Sequence, residues 1–165
     1  MAKGRDTTAV PPAYRGKETS FIKHELLKAY LKRLFLIIGM SAQRLGFAEL
    51  CYVDGFAGPW QDESDDLGST SIAISFRILD ECRKELEKQN RSLRIRALYV
   101  ERDKTAFARL ENYLREQTPA GIDTKAFQGD FVELQEAVLD WCASRGFAFF
   151  FLDPKGWMPV GVKVL

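Results

Sequence analysis

The sequence predicts an open α/β domain, a doubly wound and mostly parallel sheet preceded by an N-terminal helix. Three observations carry that prediction. From residue 50 onward, short apolar runs alternate with segments of helical periodicity, the order that builds parallel β-α-β units. Each of the four runs ends in polar punctuation: Asp54-Gly55, Glu101, Gly129-Asp130 and Asp153-Pro154. The last run, Phe147–Leu152, is almost wholly apolar and too short for a helix, as befits a buried central strand.

Taken in order, residues 1–18 are polar and basic with Pro11-Pro12, and read as a flexible arm ahead of one domain over 19–165. Ser20 is the expected cap of the first helix. In it Leu27, Tyr30, Leu31, Leu34, Phe35 and Ile38 form one apolar stripe, and Gly39 or Gly46 ends it. Leu50–Val53 is the first strand, followed by a turn containing Gly55, Gly58 and Pro59 and by an acidic surface loop over 61–68. A helix capped by Ser69, Thr70 or Ser71 follows, with Ile72, Phe76, Leu79 and Leu86 inward. Ile95–Val100 is the second strand. The third helix turns Phe107, Leu110 and Leu114 to one face and ends at Thr118-Pro119. Thr124–Gln128 is the third strand. Asp130 opens the fourth helix, with Leu134, Val138 and Trp141 inward.

Composition sets the outer limits. With 165 residues, 46% hydrophobic and 28% charged, the chain has enough apolar material for one core. It contains no apolar run of about 18 residues, so no membrane span is expected, and its polar N-terminus lacks the apolar stretch of a secretory signal. Cys51, Cys82 and Cys142 show no paired spacing. That argues against a disulfide framework or a zinc site and suits a reducing, cytoplasmic setting. A lone histidine, His24, cannot make a histidine-rich metal site, so no metal is expected. Residues 1–45 carry nine Lys/Arg against three Asp/Glu, whereas 46–165 carry fifteen against twenty. This basic N-terminal segment could meet a nucleic-acid backbone or could simply be a solvated helix face.

The turn after the first strand points to a nucleotide-like ligand. In doubly wound sheets ligands sit beyond the carboxyl ends of the strands, where the chain reverses direction across the sheet. Right-handed crossovers make the first and fourth strands neighbours at that point. The six-residue G-x-G-x-x-G is absent, which argues against a dinucleotide-binding oxidoreductase domain. Plainer roles compete. Asp54 and Gly58 suit a simple turn, Glu101 suits an acid opening a helix, and Asp130 with Glu133 fits a capping box.

Tyr52-Val-Asp-Gly-Phe-Ala-Gly-Pro59 resembles the first motif of class I S-adenosylmethionine-dependent methyltransferases, a Rossmann-like fold. Together with Lys23-His-Glu-Leu-Leu-Lys-Ala-Tyr-Leu31 and Phe151-Leu-Asp-Pro-Lys-Gly-Trp157, it resembles the three-Cys-motif partner proteins. The match spans residues 48–157. The resemblance implies that Asp54, Gly55, Ala57 and Gly58 surround the methionine moiety of S-adenosylmethionine, with Phe56 packing beneath. It implies that Glu101 accepts from the ribose hydroxyls, and that Asp130 accepts from the adenine amino group with Phe131 flanking the ring. Asp153-Pro154 falls where that family orients an acceptor amino nitrogen. The chain departs from the pattern at Trp60, where glycine is usual, and at Lys155-Gly156, which replaces a proline and an aromatic.

A complete sheet of the methyltransferase type carries about three strands beyond the fourth, so the sequence reads as a sheet lacking its C-terminal strands or as a truncated piece of a longer protein. The fourth strand therefore needs a cover: a second copy of the chain, another polypeptide, or the tail from Trp157 to Leu165 folded back. Two function classes follow. One is a methyltransferase acting on an amino group of nucleic acid. The other is a non-catalytic interaction protein of a gene pair that retains the fold.

Overall fold

The computed structural model describes residues 18–58, 70–142 and 146–153. The elements run α1 (Glu18–Leu45), β1 (Glu49–Asp54), α2 (Ser71–Lys88), β2 (Arg94–Glu101), α3 (Lys104–Gln117), β3 (Ile122–Gln128), α4 (Gln135–Cys142) and β4 (Gly146–Phe151). The four strands form one parallel sheet in the order β3-β2-β1-β4. The chain steps outward from β1 to β3, then returns to the far side of β1. The reversal therefore lies between β1 and β4, as the crossover argument requires.

Side-chain alternation divides the sheet into two faces. Leu50, Tyr52, Ile95, Ala97 and Tyr99 pack with α1, α2 and α3. Cys51, Val53, Leu98 and Val100 pack with Phe131, Val138 and Cys142 around α4. Helices cover both faces, so the sheet is doubly wound. β1 is buried from Leu50 to Asp54, consistent with its place between two strands.

α1 begins at Glu18, so residue 18 belongs to the helix and not to the arm, and Ser20 lies inside the first turn instead of capping it. The helix runs straight through Gly39, where an added Cβ would stand 2.7 Å from Leu86 Cδ1. Gly39 thus marks a close approach of α1 to α2, and the stop comes at Gly46, whose φ of 76° favours glycine. Leu27, Leu31 and Phe35 are buried, but Tyr30 is 65% exposed. Apolar residues surround more of α1 than one stripe can hide, and Ile22, Leu26 and Ile37 are exposed with Tyr30.

Thr70 caps α2 by accepting from the Ala73 amide, and Asp103 caps α3 by accepting from the Ala106 amide. The predicted inward residues of α2 are all buried, as are Leu110 and Leu114 of α3. α4 starts at Gln135, five residues after Asp130. Asp130 instead folds its side chain onto the Val132 amide at 2.9 Å, and its carbonyl accepts from the Leu134 amide. This local turn competes with a helical start. β4 differs from the expected central strand: it lies at the end of the order and every residue is half-buried.

Candidate functional site

The register brings the strand ends to one rim. Asp54 lies level with Tyr99 of β2 and Phe151 of β4, and Glu101 lies level with Gln128 of β3. Backbone bonds stitch the loops there. The Gly55 amide donates to Phe151 O at 3.1 Å, the Ala57 amide to Val100 O at 2.9 Å, and the Gly129 amide to Glu101 O at 3.0 Å. Asp54, Glu101, Asp130 and Asp153 are thereby held along the carboxyl edge of the sheet.

Asp54 is fully buried. It accepts from the Ser71 hydroxyl at 2.7 Å and from the Phe56 amide at 3.1 Å, joining the turn to the start of α2. Burial pushes its pKa up to about 6; the two hydrogen bonds oppose that rise, and the nearby charges of Asp153 and Glu101 add to it. Beneath it lies a polar cluster. The Ser75 hydroxyl donates to Ile72 O at 2.8 Å and meets the Tyr99 hydroxyl at 2.8 Å. The Tyr52 hydroxyl is buried beside Asp54 without a well-formed hydrogen bond among the described residues. Burial pushes both tyrosines well above their usual range.

Glu101 is nine-tenths buried. Its Oε1 accepts from the Asp103 amide at 2.8 Å, leaving Oε2 without a partner among the described residues. Asp130 has a distant cation, Arg102, 3.9 Å from Oδ2. Asp153 is ion-paired with Lys23 of α1, a contact that brings the N-terminal helix to the rim. His24 sits next to that pair, and burial lowers its pKa, with the charge of Lys28 adding to the effect.

The glycine turn is packed from within. A Cβ on Gly55 would stand 2.6 Å from Leu152 Cδ2 and 3.0 Å from Phe131 Cδ2. Gly55 therefore makes room for two core side chains. Phe131 is buried, with its ring 5.8 Å from that of Phe56; it is a core residue. Ala57 is buried, and a Cβ on Gly58 would meet no atom closer than Phe56 O at 3.4 Å. Pro154, Trp60, the acidic loop, the arm over 1–17 and the tail lie outside the described residues. No group of three or more metal-ligating side chains occurs among the described residues, and no helix there is long and apolar enough to cross a membrane.

The sequence reading missed Lys23 at Asp153, Ser71 at Asp54 and the Tyr52–Ser75–Tyr99 cluster. Only Ser71 left a local signal, as a hydroxyl at the start of the helix after the turn. Compared with protein-family models, curated proteins and solved structures, the chain matches none.

Proposed function

We propose that this rim binds S-adenosylmethionine and that the chain is a methyltransferase-like protein acting on an amino group, with nucleic acid as the acceptor class. The carrying observation is the pair of buried carboxylates, Asp54 and Glu101, at the ends of adjacent central strands and without cationic partners among the described residues. Buried acids satisfied only by neutral donors suit a ligand that brings amino and hydroxyl donors of its own. Glu101 Oε2 is open to a ribose hydroxyl. Asp54, poised near neutrality, would hold a cationic amino group, directly or through water. Asp130 and the edge of Phe131 would meet the adenine. The cofactor supplies an activated methyl group on sulfonium. The chain's part is to hold the acceptor in line, a task of position that needs no metal. Asp153 is the group that would accept from the acceptor nitrogen, with Lys23 fixing its carboxylate.

The basic character of α1 is largely spent inside the chain. Lys23 pairs with Asp153, Lys28 with Glu25 and Lys32 with Glu81. A nucleic-acid contact would therefore lean on the arm.

Calorimetric titration with S-adenosylhomocysteine tests this reading without turnover. The expected result is micromolar binding, about −8 kcal/mol. A folded chain that gives no heat across several temperatures overturns it.

One observation favours the second reading, an interaction protein that keeps the fold. β4 pairs only with β1 among the described residues, and an apolar groove of about 260 Å³ runs beside it, lined by Leu26, Leu27, Tyr30, Leu34, Phe149 and Phe151. Exposed strand edges and apolar patches of this kind recruit a second chain. Light scattering that shows a monomer at all concentrations, with measurable methyl transfer, removes this alternative.

A further inference from the structure

Two of the three cysteines meet on the sheet face covered by α4. Cys51 sits in β1 and Cys142 is the last residue of α4. The Cys51 thiol donates to Cys142 O at 3.5 Å, and each cysteine shifts the ionisation of the other. Cys51 is fully buried and Cys142 is 6% exposed. Cys82 lies with the opposite face, its thiol directed at Lys32 O, 3.7 Å away.

The surroundings enforce this meeting. A Cβ on Gly146 would stand 2.9 Å from Cys142 O and 3.5 Å from Cys51 Sγ, so glycine there lets the end of α4 close onto β1. Arg96 is the register partner of Cys51 on β2. Its guanidinium lies 3.9 Å from the centre of the Trp141 ring and donates to Glu49 at 2.9 Å. Arg96 Nε is buried without a hydrogen-bond partner among the described residues. A cation with a spare donor beside two thiols favours a thiolate.

We propose that Cys51 and Cys142 form a redox-responsive dithiol that closes to an intramolecular disulfide on exchange with a small disulfide of the glutathione class. The roles of the two sulfurs differ. The hydrogen bond from Cys51 and the charge of Arg96 hold Cys142 below its usual range, against the effect of burial. Contact with Cys142 and burial push Cys51 up. Cys142, the less deeply buried of the two residues, is therefore the attacking thiolate. It displaces one thiolate from the small disulfide and forms a mixed disulfide. Cys51 then passes its proton to the small thiolate just released and attacks the Cys142 sulfur, expelling the second small thiolate. Two protein thiols are oxidised and one small disulfide is reduced to two thiols. The product ties the centre of β1 to the end of α4. Being on the α4 face, it is independent of any ligand at the rim.

The test treats the purified chain with oxidised glutathione, quenches with acid, alkylates under denaturing conditions and maps peptides by mass. Wild type is expected to keep one alkylatable thiol of three, at Cys82, and to lose about two mass units in the joined Cys51–Cys142 peptides. Cys51→Ser is expected to stop at a glutathione adduct on Cys142, and Cys82→Ser to behave as wild type. Three alkylatable thiols in treated wild type, or a disulfide that includes Cys82, overturns the proposal. The wild-type readout does not depend on whether a variant folds.

Discussion

The two ends of the sheet treat acids in opposite ways. At the amino end, Glu49 meets Arg96 at 2.9 Å and Arg94 at 3.3 Å, and Arg94 reaches on to Asp123 at 2.5 Å. At the carboxyl end, Asp54 and Glu101 are more deeply buried, yet they meet only hydroxyl and amide donors. Paired charges that neutralise one another hold a structure together and ask for nothing more. Buried carboxylates left with neutral partners carry an electrostatic cost that a donor-bearing ligand would relieve. By this contrast the amino end is the structural end, and the carboxyl end is the one proposed to bind.

Substitutions at the binding end should give the largest effects. Asp54→Ala is expected to abolish S-adenosylhomocysteine binding in calorimetry, a loss of two or more orders of magnitude, about 3 kcal/mol for a charged hydrogen-bonded contact. Asp54→Asn should do nearly the same while sparing the fold, because the amide oxygen can still accept from the Phe56 amide while the Ser71 hydroxyl turns to accept from the new NH2 group. Binding that survives both would dissolve the distinction between the ends. Glu101→Gln should weaken binding roughly tenfold, about 1.4 kcal/mol, since one neutral acceptor replaces a charged one.

At the structural end the effect should move from binding to stability. Glu49→Ala strands Arg96, only 12% exposed, and should cost about 1–2 kcal/mol in denaturant unfolding with the titration unchanged. Lys23→Met should be the smallest. Its pair with Asp153 is 38% and 28% exposed, and partly exposed pairs contribute about 0–1 kcal/mol. A large loss of methyl transfer with that small loss of stability would move Lys23 to the binding side.

The same comparison can be read by pH. Asp54 titrates near 6 when folded against 3.8 for the ordinary group. The folded chain therefore binds this proton more tightly than the unfolded chain. The stability it contributes is complete below about 3.8 and is lost as pH rises through about 6. Unfolding free energy should fall across that window in wild type relative to Asp54→Asn, the reverse of what a salt-bridged acid produces. Equal slopes in the two proteins would show that Asp54 is not held in a costly ionised state.

The fold was legible because its signals are local. Alternation of apolar runs with periodic segments located all four strands, and the crossover rule placed β1 beside β4. The rim acids could be read from their position within two residues of the end of each run. What escaped was set by tertiary context. Tyr30 keeps the helical period of α1, yet α2 and the sheet take only part of that helix, so Tyr30 faces out. Asp130-x-x-Glu133 has the letters of a capping box, but its own side chain finds the Val132 amide first. Lys23–Asp153 and Cys51–Cys142 join residues far apart in the chain, and no spacing rule announces them.

The position of β1 also has a consequence in time. Its two partners arrive in very different order along the chain: β2 begins at residue 94 and β4 only at residue 146. During synthesis β1, β2 and β3 can assemble first, and the side of β1 meant for β4 stays open until the last described strand emerges. Closing that gap is a long-range step with a large loop entropy. It should set the folding rate, and the β1–β4 seam should be the first to part under load. A pulling experiment or hydrogen exchange would see β4 released while the β1-β2-β3 ladder still holds.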